Sequence, residues 1–202
     1  MAYFSRIWIT LFTAILFIGL FATHAYADIK LEYHYKFIGL KNCKMCHSKD
    51  KLGNQYGIWS KTKHAQAYKV LASSQALKYA AALGVKDPQK SDRCLVCHTT
   101  GFKAPKKIRK KINDSDGITC ERCHGAGSLY AQKMKQIAKE RLSNPKGDSK
   151  TAETTRLIKP TKETCLQCHV REVVIDGTTY INPAYKEFNF DESIKKVSHR
   201  RK

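Results

Sequence analysis

Acidic residues are scarce: 17 Asp and Glu stand against 37 Lys and Arg, a formal net charge of +20 over 202 residues. A surface so short of acid favours acidic partners. Long hydrophobic runs are lacking too. The apolar stretch from Ile7 to Phe21 is interrupted by Thr10, Thr13 and Gly19 and falls short of the ~20 residues of a membrane span. An uncleaved anchor is therefore disfavoured. With Arg6 before it and Ala25-Tyr26-Ala27 after it, the stretch fits a secretory signal peptide over residues 1–27, and the mature chain is expected to start at Asp28. No Cys lies near that cleavage site, which argues against a lipoprotein. Export also argues against nucleic acid as the partner of the basic surface, and it places the protein in the periplasm or outside the cell. Residues 28–202 fit a single domain.

Cysteine is absent outside one repeated pattern. All eight fall in Cys43-Lys44-Met45-Cys46-His47, Cys94-Leu95-Val96-Cys97-His98, Cys120-Glu121-Arg122-Cys123-His124 and Cys165-Leu166-Gln167-Cys168-His169. Cys-x-x-Cys-His is the attachment site of a c-type haem. Two thiols three positions apart on a helical turn reach the two vinyl groups of one porphyrin, and the following His supplies the proximal nitrogen of the iron. The competing uses of cysteine fit less well. Zinc sites with four cysteine ligands need no His after each pair. Thioredoxin-like pairs do not recur four times in a short chain. Disulfides are the weakest option, since no cysteine is left outside the four runs, although an exported protein meets an oxidising compartment. Four covalently bound haem c groups are expected, with His47, His98, His124 and His169 as proximal ligands. Their propionates would offset about eight of the positive charges.

Four haems in so short a chain predict the architecture: a mainly α protein with much irregular loop, wrapped around stacked haems that supply much of the core. Tyr68 to Leu83 and Leu129 to Leu142 read as helices, the second with Met134 and Ile137 on one side. Asn113 to Gly117 and Ser143 to Asp148 read as turns. Val173 to Ile175 and Thr178 to Ile181, joined by Asp176-Gly177, read as a β-hairpin. The basic stretch Lys103 to Lys111 is either a solvated loop or a docking surface for an acidic redox partner. Outside the motifs the mature chain has His34, His64, His199 and Met134 as candidates for the second axial position; a Met placed like Met134 on an amphipathic helix is more often a packing residue against a haem face.

Beyond the motifs the chain resembles the cytochrome c-554 family of tetrahaem electron carriers. The resemblance rests on Trp59-Ser60-Lys61-Thr62-Lys63-His64-Ala65, on Gly117-Ile118-Thr119 before the third motif and Gly125-Ala126-Gly127 after it, and on Phe190-Asp191-Glu192-Ser193-Ile194-Lys195-Lys196-Val197 ahead of His199. It implies electron transfer rather than catalysis, with His64 and His199 as distal ligands. The family's best-known member carries a further distal His on the helix after the third motif and leaves one haem five-coordinate. Here that helix has no His, and its place falls near Met134. His34 has no counterpart, but similar tetrahaem proteins build extracellular filaments in which a His crosses to a neighbouring subunit. A carrier is expected. The alternatives are a reductase of small nitrogen oxides at a five-coordinate haem, and a self-associating filament subunit.

Overall fold

The computed structural model describes residues 35–143 and 157–199; the expected signal peptide, His34 and most of the turn expected at 143–148 lie outside the described residues. The chain is mostly helical, with short helices joined by irregular loops. In order they are α1 (Leu40–His47), α2 (Gln55–Ser60), α3 (Ala67–Val70), α4 (Ser74–Ala82), α5 (Asp92–His98), α6 (Lys106–Arg109), α7 (Cys120–His124), α8 (Ser128–Ser143), α9 (Lys162–Leu166) and α10 (Phe190–Val197), with strands β1 (Glu172–Ile175) and β2 (Thr178–Ile181) between α9 and α10. Among the described residues no helix is long and apolar enough to cross a membrane.

The helix expected over Tyr68 to Leu83 is two helices. Its Ala and Leu content favours helix throughout, but Ser73 takes an extended conformation and its hydroxyl accepts from the amide of Ala76. A serine cap inside an apolar run starts a new helix by satisfying one of its orphan amides. The other expectations on described residues hold closely. The helix at 129–142 is α8, and Ile137 on it is buried. The hairpin pairs Val173 with Tyr180 and Ile175 with Thr178. Asp176 and Gly177 both have positive φ, 49° and 75°, which is the backbone of a two-residue turn that matches strand twist. Lys103 bonds Asp176 at 2.6 Å, and Arg93 lies 4.2 Å from the centre of the Tyr180 ring, so the hairpin is tied back to α5 and the loop before α6.

The protein core is small. Among the described residues ten apolar side chains are buried, four of them alanines, and the largest fully buried side chains are Thr99, Thr100 and Thr119. These threonines bond locally. Thr100 donates to the carbonyl of Gly117 at 3.1 Å and accepts from the amide of Thr119 at 2.8 Å. A buried hydroxyl so paired avoids the desolvation cost of an unmet polar group, but it adds little apolar area.

Candidate haem-binding centres

Each attachment run forms, or ends, a helical turn. The first closes α1, the second closes α5, the third is α7, and the fourth begins at Cys165 in α9 and runs into the turn that holds His169. Helical spacing puts both cysteines of a run on one side of the turn.

Two stretches that carried the family resemblance pack on one another and place His64. The Trp59 indole donates to the carbonyl of Ile118 at 2.8 Å, and the amide of Ile118 donates to the carbonyl of His64 at 3.1 Å. Gly117 has a φ of +70°, and a Cβ there would meet the His64 carbonyl oxygen at 2.8 Å. Glycine is required for that approach.

The third motif is fixed to the first by a carboxylate inside the motif itself. Glu121 is 4% exposed and accepts from the amides of Ile38 (2.9 Å), Gly39 (2.8 Å) and Gly127 (2.7 Å). Burial pushes its pKa up, while those three amides pull the other way. Gly39, with φ +79°, caps α1 where a Cβ would fall 2.2 Å from the Lys111 carbonyl oxygen. Residues 36–39 are thus held at one end by α7 and, through reciprocal bonds of Lys36 with Ser128, at the start of α8.

Three of the four motif histidines are oriented by an oxygen on Nδ1. His47 meets Oε1 of Gln55 at 3.1 Å, His98 the Ala67 carbonyl at 2.6 Å, and His124 the Ile158 carbonyl at 2.8 Å. A carbonyl partner fixes the proton on Nδ1 and leaves Nε2 as the metal-facing donor. Burial lowers the pKa of His64, His98, His124 and His169, with the neighbouring His169 adding to the effect on His64. Neutral imidazole is the form that ligates.

Two of the candidates lie opposite motif histidines. His64 faces His169 edge-on, with ring centres 6.0 Å apart at 74°, and His199 faces His124 at 5.8 Å and 68°. Two imidazoles on one metal, each nitrogen about 2.0–2.1 Å from it, put their ring centres roughly 6 Å apart. Both pairs fit an iron between them. Phe188 stacks on His169 at 4.6 Å. Met134 lies half-buried on α8. One turn before it, Tyr130 presents its hydroxyl to Nε2 of His47 at 3.2 Å. This tyrosine stands outside the His and Met candidates of the sequence, although phenolate also binds haem iron.

The attachment cysteines of different motifs also meet. Cys43 shares a hydrogen bond with Cys120, and Cys97 with Cys168. Arg122 of the third motif reaches Sγ of Cys168 at 3.2 Å. As thiols they register this contact: Cys43 and Cys97 are pushed up by their partners and by burial, and Cys168 is lowered to about 6 by Cys97 first and by Arg122. None of the eight is in a disulfide. Among the described residues no group of three or more His, Cys, Asp or Glu side chains gathers as a metal centre of the zinc type.

A helical chain whose attachment runs sit on helical turns, with imidazoles paired at iron-bridging distance, carries the donor set of a c-type cytochrome. Within that class, residues 42–125 match the family model described as cytochrome c554 and c-prime, so this stretch is similar to that family. No curated protein matches the chain significantly. Among solved structures the chain is similar to reduced cytochrome c554 from Nitrosomonas europaea, with a TM-score of 0.52, 23% identity, and 81% of this chain and 83% of that one covered. Members of the family hold covalently attached haem c, and the runs quoted above are the residues that would hold it here.

Proposed function

We propose that this chain is an exported tetrahaem electron carrier, working in the periplasm or at the cell surface between redox partner proteins. The observation that carries this reading is the crossed pairing of sites. His64 and His199, both outside the motifs, oppose His169 and His124, while attachment thiols of the first and third motifs, and of the second and fourth, stand within hydrogen-bond reach. Thiols that close favour porphyrins arranged in two neighbouring pairs, first with third and second with fourth.

When bound, haem iron supplies one-electron redox chemistry, with potentials tuned by axial ligand, hydrogen bonding and burial. The residues of this chain hold and orient it. Gln55, Ala67 and Ile158 fix the rings of His47, His98 and His124. The buried Glu121 locks the first and third motifs into one frame, so their separation does not drift. His64 and His199 complete coordination, which suits transfer of electrons rather than catalysis at iron. Met134 and His34 are the further ligand candidates. The exposed lysines favour acidic partners, and His34 would suit self-association through a neighbouring haem.

Denaturing mass spectrometry of the exported protein tests this reading. A chain starting at Asp28 with four haem masses is expected, and release of haem into acidified organic solvent would contradict thioether attachment. Paramagnetic resonance of the oxidised protein separates carrier from enzyme. At least two low-spin bis-histidine irons are expected, and turnover of nitrite or nitric oxide at a high-spin iron would favour the reductase.

A further inference from the structure

One further motif histidine faces a phenol: the ring centres of His47 and Tyr130 lie 6.1 Å apart at an interplanar angle of 27°, and because a phenol oxygen stands outside its ring, it is the oxygen rather than the ring spacing that decides whether a metal fits. In this pair the contact falls on the metal-facing nitrogen. Nδ1 of His47 is turned to Gln55 Oε1, so Nε2 carries the lone pair that would bind iron, and the Tyr130 hydroxyl donates to that lone pair at 3.2 Å. An iron between the two donors needs them roughly 4 Å apart, so its binding would replace the phenol's hydrogen bond and open the 3.2 Å contact slightly, with the phenol oxygen facing the metal.

Tyr130 is set there by the frame of the first and third motifs. It lies in the first turn of α8, two residues after Ser128, whose amide and hydroxyl bond Lys36. Gly127, immediately before α8, donates to Glu121. The bonds that fix α1 against α7 therefore also fix Tyr130 against His47. Met134 stands one helical turn further along α8, on the side that buries Ile137.

We propose that Tyr130 is the distal ligand of the first haem, binding its iron through the phenolate oxygen opposite His47 and releasing the phenol proton to solvent. This rests on the attachment of haem at Cys43 and Cys46. An anionic oxygen favours ferric iron, as does the tyrosine ligand of other haem proteins. The first haem is then high-spin and has the lowest potential of the set, at the opposite extreme from the value a methionine would give. With Tyr130 in that position, Met134 is left as a packing residue rather than a ligand.

Resonance Raman spectroscopy of the oxidised full protein, excited in the visible, tests the ligand directly. Phenolate modes are expected in the native protein and their loss in Tyr130→Phe, with the lowest potential shifting upward. In Tyr130→His the high-spin signal of that haem should convert to low spin. Haem attached at Cys43 and Cys46 without phenolate modes overturns Tyr130 alone. So does a near-infrared sulfur-to-iron band that Met134→Leu abolishes, since the thioether then holds the position. Mass spectrometry of the same samples counts attached haem independently, and a chain with no haem at the first motif overturns the attachment and this proposal together.

Discussion

The stretch from Phe37 to Glu121 and the segment 157–199 are built on different principles. Among the described residues the first holds eight of the ten buried apolar side chains and all four buried polar ones, and nearly all of it falls in the span that the family model matches. The second buries Ile175 alone among its apolar side chains. Yet it supplies His169 and His199, one partner in each histidine pair. The first region is a frame that stands on its own hydrogen bonds. The second is a clamp, placed by the histidines it pairs with the first region and by a few polar ties such as Lys103 to Asp176. A frame variant should cost stability and a clamp variant should cost ligation.

The largest effect should come from breaking the frame. Glu121→Ala strands three backbone amides that now share one buried carboxylate. Unmet buried donors cost about 1–3 kcal/mol each, and with partial relaxation the loss should be about 3 kcal/mol by thermal or chemical denaturation. In the clamp, Phe188→Ala removes the ring stacked on His169 and should cost about 1 kcal/mol. Equal losses would dissolve the distinction between the two regions.

Ligation comes next. His64→Ala and His199→Ala should each convert one low-spin haem to high spin, of different motifs, while covalent haem content stays near four. The thioethers do not depend on the distal ligand. In the frame, His64 is anchored through its carbonyl by Ile118, so its loss leaves the backbone in place. If both variants altered the same haem, the pairing of His64 with His169 and His199 with His124 would be wrong.

Acid should act on the seam between the regions. His64, His124 and His169 have pKa values lowered from 6.5, chiefly by burial. A lowered value means the fold prefers the neutral ring, so the associated stability is full above pH 6.5 and is lost as pH falls below it through the folded-state values. The thermal midpoint should therefore drop between pH 7.5 and pH 5. The drop should be smaller in His64→Ala. A midpoint that rose on acidification would contradict the sign.

The frame and the clamp were unequally visible in the sequence. Cys-x-x-Cys-His is a covalent requirement and shows wherever it occurs. The hairpin was marked by Asp176-Gly177, because its positive φ values leave few residues to choose from. The stretches Trp59–Ala65 and Gly117–Thr119 stood out, but not their mutual contact, which is a tertiary bond between residues 59 apart. Glu121 was hidden because it occupies a position of the attachment motif that the haem leaves unspecified. Tyr130 was hidden because a tyrosine on an amphipathic helix is ordinarily packing, and only the closeness of its hydroxyl to one nitrogen of His47 distinguishes it. Ser73 carries the signal of the helix break, since serine ahead of a helical run is a cap signal.

The smallest effect expected is on the surface of the frame, where the stretch Lys103 to Lys111 is only partly available to a partner. Lys103 is paired with Asp176 and Arg109 with Asp114, so both charges are internally engaged. Lys106, Lys107, Lys110 and Lys111 are exposed, two of them on the short helix α6 and two just after it. If these four steer an acidic redox partner, electron exchange with that partner should slow as ionic strength rises, because surface charges are screened beyond about 10 Å at 0.1 M salt. Reversing the four lysines to Glu should slow exchange at low salt by about tenfold or more, on the scale of steered association, and flatten or invert the salt dependence. Stability should change little, since exposed charges without partners contribute little to the fold. Stopped-flow exchange at several salt concentrations reads all of this in one series. Rates of the unmodified protein that do not respond to salt would remove the docking surface and leave α6 as a solvated helix of the frame.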